Sequence, residues 1–249
     1  MNNRFIVVIP FWNAEKWIDK SIKSLRLQNY TNFKCIVAND CSTDNSLQVA
    51  RKAIGDDDRF EIITTENNLG PLGNAYEAAL YHSKPKDEDV VIILDGDDFL
   101  FSSAVLSKLN DAYNESNCWM TYGSYISLSS KQRGKFSEQI PQNVIDNNSF
   151  REYKWTTSHL RSYKIKVLKK INKEDLLDEN QNYFKAAGDL ALMFPLLELC
   201  GNRSKYIKDI LYIWNDLNEM NEHKTKRIQQ LECELKIRSM KKYSPLKES

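Results

Sequence analysis

Four short, largely apolar runs in the first hundred residues constrain most strongly how this chain can fold. The runs occupy residues 5–9, 33–38, 60–65 and 89–94, and segments with apolar residues at helical spacing separate them. Strands that are apolar on both faces are typical of parallel sheets that helices cover on each side. The sequence therefore predicts an α/β fold, with a Rossmann-like sheet flanked by helices on both faces.

Beyond residue 100 the pattern is less regular. The predicted elements there are strands at residues 119–126 and 206–214, helices at residues 102–113, 161–171 and 186–199, and a polar loop at residues 128–149. Neither an internal repeat nor a linker rich in Gly, Ser or Pro divides the chain. We therefore expect one domain, residues 1–215, followed by a charged helical tail, residues 216–249.

Composition and charge argue against several classes of protein. The 249 residues carry a formal net charge of +1, so we expect no nucleic-acid partner, which would need a marked basic excess. No run approaches the roughly 20 apolar residues of a membrane-spanning helix, so no integral membrane segment is expected. The five cysteines are dispersed without CxxC spacing, which favours free thiols in a reducing compartment. The sequence therefore predicts a cytoplasmic protein.

The predicted tail combines an apolar stripe with a basic end. Ile228, Leu231 and Leu235 recur at helical spacing, and Lys241 and Lys242 follow them. Such a stripe can cover an apolar surface, whereas a basic end can favour an anionic membrane. Because the stripe is thin and lacks Trp or Phe, we expect it to pack on its own domain or to form a homodimer. We favour either arrangement over a peripheral position on a membrane.

The fourth apolar run ends in Asp95-Gly96-Asp97-Asp98, where three carboxylates follow a buried segment. Close carboxylates repel one another unless a cation or solvent relieves them. An Asp-x-Asp pair offers oxygen ligands that suit Mg²⁺ or Mn²⁺ shared with substrate phosphates. A turn that merely caps the next helix is the alternative, but α/β sheets bind their ligands at the carboxyl ends of strands. We therefore predict a divalent metal site at Asp95 and Asp97.

Two more polar segments follow the second and third runs. Asp40 comes directly after the second run, and its carboxylate can accept hydrogen bonds from a nucleobase or a ribose. Residues 66–75 contain Gly70 and Gly73 ahead of a predicted helix, and glycines there allow a nucleotide to approach the backbone amides. A plain loop with a helix N-cap at Asn74 explains that second segment equally well.

These segments, in this order, resemble the family 2 glycosyltransferases with the GT-A fold. The matching segments are residues 7–16 (VVIPFWNAEK), Ser24-Leu25 with Gln28-Asn29-Tyr30, Asn39-Asp40-Cys41-Ser42-Thr43-Asp44, Asn68-Leu69-Gly70 with Asn74-Ala75, and Leu94-Asp95-Gly96-Asp97-Asp98. The third segment is similar to the family's D-D-G-S-x-D motif, with Asn39 for the first Asp and Cys41 for Gly. Cys41 must therefore tolerate backbone strain that glycine relieves. The resemblance is specific over residues 4–100 and thins beyond.

The resemblance implies a GT-A domain with a mixed sheet, whose residues 1–100 bind the nucleotide sugar and whose residues 101–215 bind the acceptor. It implies metal-dependent, inverting transfer from a nucleotide sugar, usually a UDP-sugar, to a hydroxyl of a glycan, lipid or protein. Asp40 would contact the uracil, Asp95 the ribose or metal, and Asp97 would be the principal Mn²⁺ or Mg²⁺ ligand. The implied donor-binding residues are Pro10, Phe11, Asn13, Glu15, Asp40, Asn68, Gly70, Asn74, Asp95, Gly96 and Asp97.

Inverting transfer requires a base that takes the proton of the acceptor hydroxyl. In the family this base is an acidic residue at a helix start, and Ala187-Gly188-Asp189-Leu190 is similar, with Gly188 letting the turn present Asp189. Asp189 as a simple helix cap is the alternative. The base would then be sought among other acidic residues, Glu174, Asp175, Asp178 and Glu179. His159 is a candidate metal ligand or diphosphate contact, although a lone histidine is more often structural.

Three other classes of protein are compatible with parts of this pattern. A nucleotidyltransferase usually carries a glycine-rich loop with Arg or Lys after its first strand, where this chain has Pro-Phe-Trp-Asn-Ala at residues 10–14. A nucleotide-sugar-binding scaffold without turnover would have Asp189 facing away from the donor. A non-enzymatic interaction module is disfavoured by the intact pair Asp95 and Asp97.

Overall fold

A computed structural model of the protein describes residues 2–115, 117–219 and 227–247. The strands are β1 Phe5–Phe11, β2 Phe33–Asn39, β3 Phe60–Thr64, β4 Val90–Ile93, β5 Phe99–Leu100, β6 Met120–Ser127, β7 Ser162–Lys164 and β8 Ser204–Trp214. The α-helices are α1 Ile18–Arg26, α2 Ser46–Ile54, α3 Gly70–Glu77, α4 Val105–Glu115, α5 Gln142–Asp146, α6 Ile165–Leu168, α7 Gly188–Cys200 and α8 Arg227–Ser239. Shorter turns of helix cover Ala78–His82, Lys173–Leu176 and Gly201–Arg203.

The strands form one mixed sheet in the order β3-β2-β1-β4-β7-β6-β8-β5. The four strands β3, β2, β1 and β4 are parallel, β7 is antiparallel to both of its neighbours, and β8 is parallel to β6 but antiparallel to β5. The chain order changes direction at β1, which lies between β2 and β4. The carboxyl ends of β1, β2 and β4 therefore meet at one edge, where such sheets bind ligands.

The centre of the sheet is buried on both faces, as the largely apolar runs predict. Alternate residues of β1 point to opposite sides, so Ile6 and Val8 join one apolar cluster while Phe5, Val7 and Ile9 join the other. All five of these side chains are fully buried. The prediction of an α/β fold with a covered, Rossmann-like sheet is confirmed.

The predicted helix at residues 161–171 is wrong. Residues 162–164 form β7, which pairs with β4 through Val91 and with β6 through Met120, and only the single turn of α6 follows. Ser162 and Tyr163 are buried within the sheet. Tertiary pairing with two strands decides the conformation here. The predicted loop at residues 128–149 also contains a short helix, α5.

The outward face of α8 carries the apolar stripe predicted for the tail. Ile228, Leu231 and Leu235 are 77%, 58% and 62% exposed, whereas Ile237 on the other face is buried in the core. The expectation that the stripe packs on its own domain is therefore wrong, although the helix itself does pack there. A homodimer formed through the stripe stays a prediction.

Two expectations from composition can be compared with the structure. Along the part of the chain that is described, every helix is too short or too polar to span a bilayer. All five cysteines are free, as their spacing predicts.

A buried ion pair ties the C-terminal segment to the rest of the domain. Arg151 Nε donates to Glu198 of α7 at 2.6 Å, and its Nη1 donates to the carbonyl oxygen of Ile237 in α8 at 2.5 Å. The backbone N–H of Tyr243 donates to the same Glu198 carboxylate at 3.0 Å. Both charged side chains are almost fully shielded from solvent, so each depends on the other for compensation.

Arg151→Met should lower the free energy of unfolding by about 3 kcal/mol, because it leaves the Glu198 carboxylate buried without its cation. Urea denaturation measures this change. Lys242→Met is the matched control, since it breaks the exposed pair with Glu152 and should cost less than about 1 kcal/mol. The double variant Arg151→Met/Glu198→Met should recover part of the loss. An Arg151→Met protein as stable as the control would contradict the assignment.

Candidate active site

The Asp95-Gly96-Asp97 turn is clamped to the end of β1. Gly96 N–H donates to the carbonyl oxygen of Pro10 at 3.0 Å, and a Cβ at position 96 would lie 2.6 Å from Phe11 Cβ. Only glycine fits this approach. Asp40 N–H donates to the Phe11 carbonyl at 2.9 Å, so the ends of β1, β2 and β4 are joined by backbone hydrogen bonds. Pro10 and Phe11 thus contribute to the site through their backbone.

Asp40, the predicted base-contacting residue, organises the segment that follows β3. Its Oδ1 accepts from Leu69 N–H at 2.8 Å and from the Thr65 hydroxyl at 3.1 Å, and its Oδ2 accepts from Gly70 N–H at 2.8 Å. Burial raises the pKa of Asp40, while these three hydrogen bonds act in the opposite direction. Asn68 Nδ2 donates to the Asp40 carbonyl oxygen at 3.0 Å. The carboxylate therefore holds the loop in front of α3, and a contact with uracil stays a prediction.

The remaining predicted donor-binding side chains also make contacts within the protein. Asn74 is buried, and its Nδ2 donates to the carbonyl oxygen of Ala38 in β2 at 2.8 Å. Asn13 Oδ1 accepts from Thr43 N–H at 2.8 Å, and Glu15 Oε2 accepts from the backbone N–H of residue 45 at 3.1 Å. These side chains connect the loop after β1 to the loop after β2, which gives a fixed shape to the edge of the sheet where β1, β2 and β4 end.

Cys41 occupies the position at which the family motif has glycine. Its φ is 60°, in the left-handed region, where an L residue pays about 1–2 kcal/mol. The expectation that cysteine tolerates strain here is confirmed. The Cys41 thiol donates to the Thr65 carbonyl oxygen at 3.0 Å, a contact that helps to hold the turn.

An acidic cluster lies at the end of β4. Asp95, Asp98 and His159 each offer a ligand atom, and the three atoms lie within 4.8 Å of one another. The Tyr212 hydroxyl of β8 donates to Asp98 at 2.7 Å and accepts from Asp95 N–H at 3.2 Å. Asn215 N–H donates to the other Asp98 oxygen at 2.7 Å. Asp98 is therefore buried, with both of its carboxylate oxygens accepting hydrogen bonds, whereas Asp95 remains partly exposed.

Burial and mutual repulsion raise the pKa values of these carboxylates. Desolvation raises the pKa of Asp95 to about 6; the positive charge of Arg161 opposes this rise, and the negative charges of Asp97 and Asp189 add to it. Desolvation likewise raises the pKa of Asp97, and it raises that of Asp98 well above the ordinary value. A divalent cation would relieve this repulsion, and two carboxylates beside an imidazole form a donor set that suits one.

Asp97, the predicted principal metal ligand, is not a member of the group formed by Asp95, Asp98 and His159. Its Oδ2 accepts from Asn218 Nδ2, in the segment after β8, at 2.7 Å. Asp97 is partly exposed, so Asn218 covers a carboxylate that a ligand can reach. The assignment of Asp97 as the main ligand stays a prediction.

His159, a member of the acidic cluster, contacts Arg161, a residue that the sequence analysis does not single out. Its ring stacks on Tyr212 with centroids 4.4 Å apart and planes 7° from parallel. Arg161 Nη2 lies 3.2 Å from His159 Nδ1. A guanidinium can only donate, so Nδ1 accepts and a neutral ring carries its proton on Nε2. Ligation of a metal by Nδ1 would require Arg161 to release this bond.

Asp189, the predicted base, lies in the first turn of α7 and faces the same cluster. Its carboxylate is 3.8 Å from Arg161 Nη1, and its charge contributes to the raised pKa of Asp95. The residue with left-handed φ ahead of it is Ala187, not Gly188. Gly188 is instead required by close packing, because a Cβ there would lie 2.9 Å from Leu72 Cβ of α3. Gly188 is therefore required by packing against α3, and not, as predicted, by the turn that presents Asp189.

Sequence reasoning missed three contributors to the site: Arg161, Tyr212 and Asn218. Arg161 was missed because residues 161–171 read as a helix. Tyr212 lies near the end of β8 and Asn218 in the segment after it, each more than a hundred residues from the carboxylate that it contacts. An aromatic residue near a strand end carries no local signal for such a contact.

Sheet order and the acidic turn at the end of β4 define a fold of the GT-A class. The sequence matches the family described as Glycosyl transferase family 2 over residues 6–177. The chain therefore belongs to this family.

Individual relatives agree with this assignment. The chain is 28% identical over 219 residues to the poly(ribitol-phosphate) beta-N-acetylglucosaminyltransferase TarS of Staphylococcus aureus, covering 85% of this chain and 35% of TarS. The chain spans between 35% and 54% of the length of the first four curated relatives.

Solved structures show the same fold. The S. aureus TarS 1–349 complex with UDP-GlcNAc superposes with a TM-score of 0.65 at 22% identity, covering 90% of this chain and 61% of that one. The glucosyl-3-phosphoglycerate synthase of Mycobacterium tuberculosis, in complex with Mn²⁺, UDP and phosphoglyceric acid, gives a TM-score of 0.62 at 13% identity, covering 96% and 80%.

Asp40→Asn should lower the free energy of unfolding of the nucleotide-free protein by about 1–3 kcal/mol. Leu69 and Gly70 donate to different oxygens, and an asparagine offers only one acceptor, so one N–H would face the amide group. Chemical denaturation measures the loss. Thr65→Val removes a single hydroxyl contact and should cost less. If Asp40→Asn kept full stability, the carboxylate would serve ligand binding alone.

Proposed function

We propose that this protein transfers a sugar from a nucleotide sugar to a hydroxyl acceptor, with inversion at the anomeric carbon and dependence on a divalent metal. The observation that carries the proposal is the placement of three carboxylates at one edge of the sheet and of a fourth, Asp189, nearby. Asp95, Asp97 and Asp98 lie at the donor edge of the sheet, and Asp189 faces them closely enough to perturb the pKa of Asp95. Asp95 and its two neighbours suit a metal and a diphosphate, and Asp189 suits an acceptor hydroxyl.

A UDP-sugar is the proposed donor. Support comes from TarS, whose name specifies N-acetylglucosamine transfer and whose crystal structures include complexes with UDP and with UDP-GlcNAc. The edge formed by Asp40, Asn68 and Gly70 would receive the nucleoside. UDP-GlcNAc is therefore the first donor to test, with a hydroxyl of a glycan, lipid or protein as acceptor. The five free thiols favour a reducing compartment, the cytoplasm, for this reaction.

The metal would be held by Asp95, by Asp97 once Asn218 moves aside, and by His159. An imidazole in the set favours Mn²⁺ over Mg²⁺, which prefers oxygen ligands. When bound, the cation supplies Lewis-acid stabilisation of the leaving nucleoside diphosphate. Asp98 is the member of the cluster whose oxygens are both used within the protein, by Tyr212 and Asn215. We therefore assign Asp98 to positioning.

Asp189 is the proposed base. The acceptor oxygen forms a bond to the anomeric carbon as the bond from that carbon to the β-phosphate oxygen breaks, and the acceptor proton passes to Asp189. Two of the alternative bases make other contacts, because Asp175 accepts from the Tyr243 hydroxyl and Glu179 pairs with Lys236. Those contacts lie towards the C-terminal segment. A nucleotide-sugar-binding scaffold without turnover is the remaining alternative, and the orientation of Asp189 towards the cluster argues against it.

Asp97→Asn should weaken Mn²⁺-dependent UDP binding at least about 10-fold while the melting temperature stays unchanged, because Asp97 is partly exposed and replaceable. Isothermal titration with UDP, with and without Mn²⁺, measures the affinity. Asp98→Asn is the matched control: it should lower stability by about 1–3 kcal/mol, since asparagine cannot accept from both Tyr212 and Asn215. Unchanged UDP affinity in Asp97→Asn would remove it from the metal site.

Asp189→Asn should slow sugar transfer by a factor of about 10² or more with UDP-sugar affinity retained, because the amide cannot take a proton. Release of UDP from a panel of UDP-sugars, with candidate acceptors present, measures turnover. Glu174→Gln and Asp178→Asn are controls that should transfer normally. Turnover equal to wild type in Asp189→Asn would place the base elsewhere.

A further inference from the structure

Arg161 lies between His159, a proposed metal ligand, and Asp189, the proposed base. It directly precedes β7, and its side chain is only 11% exposed. Its guanidinium is 3.2 Å from His159 Nδ1 on one side and 3.8 Å from the Asp189 carboxylate on the other. Its charge also acts on Asp95, where it lowers the pKa against the effect of burial. The side chain thus spans the gap between the proposed metal ligands and the proposed base.

The hydrogen-bonding capacity of this guanidinium is largely unused. A guanidinium has five N–H donors, and the bond to His159 uses one of them. The 3.8 Å separation from Asp189 is an ion pair too long for a hydrogen bond. Among the residues that the structure describes, Arg161 makes no other hydrogen bond. A mostly buried cation with spare donors is prepared to receive an anion.

The charges around Arg161 indicate which anion it would receive. The Asp189 carboxylate lies 3.8 Å from Arg161 and the charge of Asp95 also interacts with it, so a ligand carboxylate or phosphate entering here meets repulsion that a cation must offset. The diphosphate of a nucleotide sugar carries two negative charges, and cleavage of its bond to the sugar leaves a further negative charge on the β-phosphate. That bond must lie between the metal ligands and the base, which is the gap that Arg161 spans.

We propose that Arg161 binds the diphosphate of the donor and contacts the β-phosphate that leaves with the nucleotide. This inference rests on the proposed function and adds a donor-binding residue to it. The planar fork of arginine matches two phosphate oxygens at once, which a lysine cannot do. If His159 Nδ1 binds the metal, the bond to Arg161 is released and the fork is free for the phosphate. Asp189 then keeps the guanidinium in place from the other side.

Binding of nucleotides that differ by one phosphate tests this inference without requiring an acceptor. We would titrate UDP and UMP, both with Mn²⁺, into the wild-type chain and into Arg161→Met, Arg161→Lys and Lys164→Met. Lys164 is the last residue of β7 and pairs with Glu88 on the surface, so its variant is the matched control. Thermal unfolding of each variant checks that it is folded, and Arg161→Lys keeps the positive charge should Arg161→Met unfold.

Arg161→Met should bind UDP about 10- to 100-fold more weakly than wild type, the scale of one charge-assisted contact, with UMP affinity changed less than about 2-fold. The UDP affinity of Arg161→Lys should lie between those of wild type and Arg161→Met, and the UDP affinity of Lys164→Met should match wild type. Equal losses for UDP and UMP, or no loss for UDP, would overturn the inference while leaving the proposed function intact. A wild-type chain that binds UMP and UDP equally would overturn the inference, and one that binds neither would overturn both.

Discussion

The buried carboxylate of Asp98, in the turn between β4 and β5, is tied to the end of β8, with which β5 also pairs, and the geometry of the site depends on this connection. Asp98 follows β4, whereas its two donors, Tyr212 and Asn215, belong to the end of β8. Two strands, β7 and β6, separate β4 from β8 in the sheet. A buried carboxylate needs such donors, so the two strand ends are held together. Tyr212 also stacks on the His159 ring, so the end of β8 contacts both Asp98 and the histidine of the acidic cluster.

The carboxylates of the site divide into two groups with different roles. Asp40 and Asp98 are buried and have both oxygens engaged by hydrogen bonds from the protein. Asp95, Asp97 and Asp189 are more exposed, and their contacts leave room for a ligand. The first group gives the edge of the sheet its shape in the absence of substrate. The second group provides negative charge that only a cation or a proton can balance, which is the property that metal binding and base catalysis require.

Much of residues 1–100 could be predicted from the sequence, because its signals are local. A largely apolar run, a turn and an acidic motif lie within ten residues of one another around Asp95, and the same holds around Asp40. The structure beyond residue 100 depends on pairing between distant segments. β7 is three residues long and is specified by its two neighbours, so Arg161 could not be placed from its own surroundings. The contact of Asn218 with Asp97 spans 121 positions and leaves no trace in the local pattern.

The position of β8 within the sheet has a consequence for how this chain can diversify. The segment that matches the family ends at residue 177, yet β8 lies inside the sheet between β6 and β5. The recognisable segment is therefore not a self-sufficient module. It acquires its last interior strand, its candidate base and the donors to Asp98 from residues that follow it in the chain. Substitutions in that later portion can therefore reshape the site, provided that each change preserves the tyrosine hydroxyl near the end of β8 and the backbone amide just after it.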